Sequence, residues 1–477
     1  MAQYKTPNVY VQEKSIFPPS VAEVATAIPA FIGRTEKTTY GADASLLKKP
    51  IRITSMVEYA KWFGGPYLEG FDFTSVKDED DAIVGVKLNP TRPVAKFILY
   101  HMLAQFFANG GGACYVVSVG GYATTNADGD EVEEDPTAAA EKGLFADALA
   151  AVAKIDEVTL LVQSDAIPRM YDATDHIHYY NLGQLALSQC DENQDRFAVI
   201  DVIDTFDGMT PANTKKMSDD LSTLRGPSGV GMANLKYGAT YYPNLVVSSP
   251  RSYKESKVTL DGETMSSLEG KPTHAMLKTA LSRNFMQLPP AASIVGVYSR
   301  VDGNRGVWKA PANVSLSGVA RPTRKITNDD QMDMNVHSSG KSVNAIRAFT
   351  DKGTLVWGAR TLAGNDNEWR YVPVRRLFNM VEESVQKATA FAVFEPNVPL
   401  TWLKLRTMIS SYLENLWKQG ALFGATADQA FFVNVGLGQT MTEDDINNGI
   451  MNIEIGMAAV RPAEFIVLTF SHKSISA

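Results

Sequence analysis

The feature that most limits the fold is the alternation of helical patterns with short, wholly apolar runs between about Ile51 and Ser249. Val94–Phe107 (VAKFILYHMLAQFF) sets Phe97, Ile98, Met102, Leu103 and Phe106 at helical spacing. Gly110–Gly112 ends that helix, and Cys114–Val119 follows as an apolar strand. Thr137–Ile155 is alanine-rich with helical periodicity, and Thr137, after Pro136, is its expected cap. A strand over Val158–Val162, a helix over Arg169–Gln189, a strand over Phe197–Val202, a helix near Ala212–Leu224 and a strand over Ala239–Val247 complete the series. Strands that are apolar on both faces and separated by helices call for a mostly parallel, helix-covered sheet. The fold class expected is therefore α/β. The acidic loop between Asn126 and Asp135 reads as solvated surface.

The flanks differ from this middle. Pro7, Pro18 and Pro19 exclude a helix from most of the first 22 residues, and Asn8–Gln12, with Val9, Tyr10 and Val11 at its centre, reads as one short strand. Val24–Arg34 reads as a buried strand. Gly, Pro and short strands dominate 253–340, a β-rich or irregular stretch. From Val343 the pattern is α/β again: a strand over Gly353–Gly358, then a helix opening near Pro373 with Leu377, Val381, Val385 and Ala388 on one face. A second helix over Leu400–Gly420 carries Trp402, Leu405, Ile409, Tyr412 and Leu416 on its apolar stripe, with Lys404, Thr407, Ser411, Asn415 and Lys418 opposite. Ile453, Ile455 and Met457 alternate with polar neighbours or glycine, Arg461-Pro462 interrupts, and Phe465–Phe470 (with Ile466, Val467 and Leu468) forms an apolar strand. Strands at both chain ends can pair with neighbouring subunits, because unpaired strand edges recruit partners.

Composition narrows the classes further. The 477 residues suffice for two or three domains, and 45% hydrophobic with 21% charged residues is a globular balance. A formal net charge of −8 argues against nonspecific nucleic-acid binding. Cys114 and Cys190 match no metal or redox spacing and read as buried thiols of a reducing compartment. The first residues lack an apolar signal core, and no run reaches the about 18 apolar residues a membrane span requires. The expectation is a chain made in the cytoplasm that does not insert into a membrane.

Several stretches resemble chemistry and fail on context. Ser339-Gly340-Lys341-Ser342 ends like a phosphate loop, but the position that needs a glycine is Asn335. Gly436 and Gly438 lack the third glycine of a dinucleotide fingerprint. His176 and His178, near Asp172 and Asp175, are two apart on a helix and so point in nearly opposite directions. Asp165, Asp201 and Asp204 end predicted parallel strands, where α/β enzymes place catalytic carboxylates and where any α/β domain needs caps and turn formers. No catalytic, cofactor-binding or metal site is assigned. The basic pair Arg375-Arg376 opens the helix near Pro373, where cations oppose the dipole, so a salt-bridge partner is expected for it.

What remains is an ordered set of motifs: Leu288-Pro289-Pro290, Gly296-Val-Tyr298-Ser-Arg300 read as a strand, Gly306-Val-Trp308-Lys309-Ala-Pro311-Ala-Asn313, Val343-Asn-Ala-Ile-Arg347 and Trp357-Gly-Ala-Arg-Thr361. With the two chain ends, this set resembles the sheath protein of contractile phage tails and phage-tail-like injection systems. The start, Tyr4–Glu13 followed by Phe17-Pro-Pro-Ser20, is most similar to sheaths of bacterial extracellular injection systems, whereas phage relatives often have Gly where this chain has Asn8.

The resemblance implies a mechanical role. It implies a homo-oligomer of six-subunit rings stacked as a helical sleeve around an inner tube protein, held by baseplate and terminal cap proteins, that contracts to drive the tube through a target envelope without cofactor or catalysis. It implies an N-terminal linker arm (1–22), an inner tube-facing α/β domain (23–50 with 341–460), an outer α/β domain inserted between them (51–252), a β-rich intermediate region (253–340) and a C-terminal linker strand (461–477). Val9, Tyr10 and Val11 and then Phe465, Ile466, Val467, Leu468 and Phe470 would be the inter-subunit strands, and Lys404 and Lys418 would face the tube. The implied setting is the bacterial cytoplasm for assembly and a phage-tail-like particle, extracellular after release, for action. Two other classes stand beside this: an α/β hydrolase using Asp165, Asp201 or Asp204, and another tail or baseplate structural protein.

Overall fold

The structure, a computed structural model, describes residues 21–41, 44–91, 94–125, 131–134, 136–170, 175–205 and 217–465. Its main strands are β1 (Pro29–Thr35), β2 (Ile51–Ile53), β3 (Cys114–Gly121), β4 (Leu160–Val162), β5 (Phe197–Asp201), β6 (Gly238–Tyr242), β7 (Val314–Ser315), β8 (Asn344–Phe349) and β9 (Gly353–Val356). They form one nine-stranded sheet in the order β7-β9-β8-β6-β5-β4-β1-β3-β2. From β3 to β8 every pairing is parallel, for example Phe31↔Val116, Ala30↔Leu161 and Val199↔Ala239. The outer pairs β2–β3, β8–β9 and β7–β9 are antiparallel.

Helices α1 (Leu99–Ala108), α2 (Ala138–Val152), α3 (His176–Asn193), α4 (Met217–Arg225), α5 (Ala291–Arg305), α6 (Val372–Thr389) and α7 (Pro399–Lys418) complete the frame. Side chains alternate along each strand, so each strand feeds two cores. On one face Ala30, Ile32, Val117 and Ile200 pack with Phe145 of α2, Tyr180 of α3 and Leu221 of α4. On the other, Phe31, Val116, Val162 and Tyr241 pack with Phe106 of α1 and Ile294 and Tyr298 of α5. Thr137 caps α2, its side chain accepting the N–H of Ala140.

The stretch Gly296–Arg300, expected as a strand, lies inside helix α5. Residues Ala291–Tyr298 are buried on all sides, and a helix enclosed in this way is apolar all round, which erases the amphipathic signature. Gly296 sits where α1 crosses it: a Cβ there would lie 2.6 Å from the Phe106 carbonyl oxygen. The region 253–340 therefore carries, besides short strands, α5 and the helices Pro272–Ser282 and Asn328–Asn335. The strand expected over Ala239–Val247 is two strands. It breaks at Pro243, and Leu245–Pro250 joins a separate antiparallel sheet with Phe285–Leu288 and Val319–Pro322.

By compactness the chain divides into two units: Ala25–Met380 with Arg461–Ala477, and Val381–Val460 with Met1–Val24. This partition differs from the segments drawn from sequence, because β1 and β8 lie in the same sheet as β3 to β6. Within the larger unit, Glu69–Lys77, Ile83–Leu88, Tyr253–Leu260 and Glu263–Thr264 form a four-stranded sheet of their own. Phe71, Phe73, Val258 and Leu260 pack there against Leu277 and Leu281 of helix Pro272–Ser282. In the smaller unit, Trp402 of α7 packs with Val435 and Met441 beside the hairpin Phe431–Asn434/Glu454–Met457. The division falls inside α6.

Candidate assembly sites at the roots of the chain ends

The strand-end carboxylates are engaged in holding the fold. Asp165 accepts the N–H groups of Ile98 and Leu99 (2.6 and 2.9 Å), closing the start of α1, together with the N–H of Arg34 and the Arg169 guanidinium. Asp201 accepts the Ala291 N–H at the start of α5 and the Ser164 hydroxyl. Asp204 accepts Thr323 Oγ1 and Arg324 Nε. Orphan N–H groups and a dipole at helix starts are satisfied by such carboxylates. Burial pushes the Asp201 carboxyl up to about 7, against the pull of its hydrogen bonds. The glycine-lysine-serine stretch is likewise occupied: Lys341 Nζ donates to the Arg225 carbonyl and Ser342 Oγ to that of Asn335. Among the described residues no three His, Cys, Asp or Glu are grouped to hold a metal ion. Cys114 and Cys190 are buried free thiols, and burial pushes both up.

Two buried arginines lie instead at the roots of the chain ends. The first is Arg360 of the Trp357–Thr361 motif, 3% exposed. Asn344 on β8 holds its backbone in both directions, accepting the Arg360 N–H and donating Nδ2 to the Arg360 carbonyl (both 2.7 Å) and to that of Thr240. Gly358 makes this approach possible, since a Cβ there would lie 2.7 Å from Asn344 Oδ1. The Arg360 side chain then grips Glu464: Nε to both carboxylate oxygens at 2.9 and 3.1 Å and Nη2 to Oε2 at 2.5 Å. Nη1 donates to the Asn335 and Gly364 carbonyls, and the Tyr371 hydroxyl reaches Glu464 at 3.4 Å. Burial works against the Arg360 charge, yet the bonds and charge of Glu464 hold its pKa above the usual arginine value.

The second is Arg376, the fifth residue of α6, 4% exposed. It pairs with Asp302 of α5 through Nη2 at 2.5 Å and Nη1 at 3.1 Å, and Nη2 also donates to the Thr26 carbonyl at 2.8 Å. Thr26 Oγ1 closes the triangle on Asp302 at 2.6 Å, and the guanidinium lies 4.5 Å from the centre of the Tyr298 ring. The Asp302 carboxylate offsets the unfavourable dipole for a cation at this helix start. Its neighbour Arg375 lies 4.3 Å from the Trp369 ring centre and donates Nε to Asn379 Oδ1 at 2.7 Å.

Of the other assigned residues, Lys404 and Lys418 are on the exposed side of α7, and Lys418 is paired with Glu414 at 2.7 Å. Phe465 is 75% exposed and irregular in backbone. Val9, Tyr10, Val11, Ile466, Val467, Leu468 and Phe470 lie outside the described residues.

Residues 364–473 match the family described as the phage tail sheath C-terminal domain. A chain of the anti-feeding prophage (AFP) helical sheath in its contracted state is 32% identical, matched over 98% of this chain and 100% of that one, with a TM-score of 0.66. The chain belongs to the tail sheath family of contractile injection systems. This sheath protein is similarly 32% identical to a chain of the 6-fold symmetrised AFP baseplate, over 99% of this chain and 100% of that one (TM-score 0.65). It is 30% identical to a chain of the contracted sheath of PVC, an extracellular contractile injection system, over 99% of both chains (TM-score 0.63). A curated relative, the putative prophage major tail sheath protein of Pseudomonas aeruginosa, is 26% identical over 138 residues. That match covers 28% of this sheath protein and 34% of the relative, so the chain spans about a third of the relative's length there.

Proposed function

We propose that this protein is the subunit of a contractile sheath that polymerises as stacked hexameric rings around an inner tube and shortens to drive the tube through a target envelope. The observation that carries the reading is full-length similarity to sheath chains from contracted AFP and PVC particles. The role is mechanical: the relatives are structural sheath proteins, and the strand-end carboxylates that would serve a hydrolase cap helices and bind hydroxyls or arginine. Self-assembly and contact with a baseplate are supported by the similarity to sheath and baseplate chains, and the proposal adds an inner tube and a terminal cap as partners.

In this reading the N-terminal arm with Val9–Val11 and the C-terminal strand Phe465–Phe470 add to sheets of neighbouring copies. The unit containing α7 faces the tube through Lys404 and Lys418, and the outer parts of the larger unit gain contacts on contraction. The work of contraction comes from that gain, since an equilibrium shifts only by differential contacts between two states. Each linking main-chain hydrogen bond contributes about 0.5–1.5 kcal/mol, so a few per arm keep copies joined while rigid bodies slide. Assembly takes place in the cytoplasm, before release of an extracellular particle.

Electron microscopy of the chain expressed alone, beside a variant lacking residues 1–22, tests this. Hollow cylinders from the intact chain that shorten to rings or vanish in the truncation are expected. Monodisperse small particles from the intact chain, persisting when tube and baseplate proteins are co-expressed, would remove the sheath reading.

A further inference from the structure

The last described residues, from Arg461, group with Ala25–Met380 and not with the residues that immediately precede them in sequence. Glu464 bonds the chain to that unit through Arg360 and Tyr371. Its carboxylate takes three hydrogen bonds from the buried Arg360, and Arg360 is in turn locked at both its N–H and its carbonyl to Asn344 of β8. Asn344 also donates to the Thr240 carbonyl of the adjoining strand β6. A continuous series of bonds therefore runs from Glu464 through Arg360 and Asn344 into the β8–β6 pair at one end of the parallel run. Beyond Glu464 the next side chain, Phe465, is already largely exposed.

We infer that Arg360 and Glu464 form the joint through which tension on the C-terminal strand enters the nine-stranded sheet, making both of them positioning residues for subunit linkage. The inference rests on the reading that the strand after Phe465 joins neighbouring copies. A strand attached only by flexible backbone would reach its neighbour from many directions, and the entropy of fixing it would weaken each link. Clamped at Glu464, the strand leaves the sheet from one place. The buried guanidinium penalises release, because an unpaired buried charge is left behind. The bonds are bidentate, a geometry that lysine cannot reproduce.

The test uses the full chain, with Glu464→Ala, Glu464→Gln and a truncation after Phe465 compared for cylinder length and for thermal unfolding of the dissociated subunit. Expected are loss of cylinders on truncation, marked shortening in Glu464→Ala with a lowered melting temperature because the buried Arg360 guanidinium loses its carboxylate, and an intermediate length in Glu464→Gln, which keeps part of the bonding. Parental cylinder lengths in Glu464→Ala, with the truncation still defective, would overturn the joint while leaving strand linkage standing. Parental cylinders from the truncation would overturn strand linkage and the joint together. Should Glu464→Ala melt much lower and Glu464→Gln assemble like the parent, the pair serves only the subunit's own stability and the inference is wrong.

Discussion

The Asp201 carboxylate, at the end of β5, accepts the backbone N–H of Ala291 at 2.9 Å across 90 residues of sequence and so seats the start of α5 against the sheet. Burial raises that carboxyl to about 7, and burial raises Asp220 to about 6. A carboxylate with a raised folded pKa makes the native state bind more protons than the unfolded one. Its contribution to stability is therefore greatest below the unfolded value and declines as pH rises from about 4 to about 7. Asp201→Asn mimics the protonated form, with an amide N–H able to donate to Ser164. Its stability relative to the parent is expected to rise across that window. Urea unfolding of the subunit at a series of pH values measures the difference, which also cancels the opposing contribution of His101, lowered by burial to about 4. A constant difference from pH 4 to pH 7 would show that Asp201 does not titrate there.

Arg376 and Asp302 form a buried pair that also holds Thr26. Asp302→Ala leaves the guanidinium buried without its carboxylate and is expected to cost about 3–5 kcal/mol. Arg376→Met with Asp302→Leu is expected to recover much of that loss. A double-mutant cycle in urea gives the coupling, and additive losses would show that the two act independently.

At the crossing of α1 and α5, Gly296→Ala would push a methyl group into the Phe106 carbonyl and Asn109 Cβ, at 2.6 and 2.9 Å. Overpacking of this kind costs about 1–3 kcal/mol. A lowered melting temperature is expected, and an unchanged one would mean that the two helices separate freely.

On α7, Lys404→Glu changes an exposed side chain and is expected to alter subunit stability by no more than about 0.5 kcal/mol. Co-purification with the tube protein should drop, and by more than in Lys418→Glu, because Lys418 is already paired with Glu414. Unchanged tube recovery in both variants would place the tube contact elsewhere.

Cys114 and Cys190 have free thiols that are buried and shifted up, so the thiolate is scarce. Alkylation by iodoacetamide is expected only on unfolding. Fast labelling of the native subunit would reveal opening of the sheet at β3 or of helix α3.

Local patterning carried a good deal. The apolar runs that became β3, β5 and β6, the stripe of α7 from Trp402 to Leu416 and the Thr137 cap were readable because each is set by neighbours within a turn or a strand. Where burial is complete that signal fails. Ala291–Tyr298 is enclosed on every side, so its residues bear no mark of helical period, and the motif Gly296–Arg300 was read as a strand.

The sequence by itself determined the fold class, the family resemblance and the residue types at the chain ends. It could not give the partition into units, because β1, β8 and β9 reach the sheet from distant parts of the chain, and pairing across such distances leaves no local periodicity. The partners of Arg360 and Arg376 were decided in the same way. A guanidinium can be recognised as needing a carboxylate, but which one it meets, Glu464 in one case and Asp302 in the other, depends on where packing brings the backbone. Only the tertiary structure makes those choices, since the energy of a buried ion pair resides in a geometry that two separated letters do not contain.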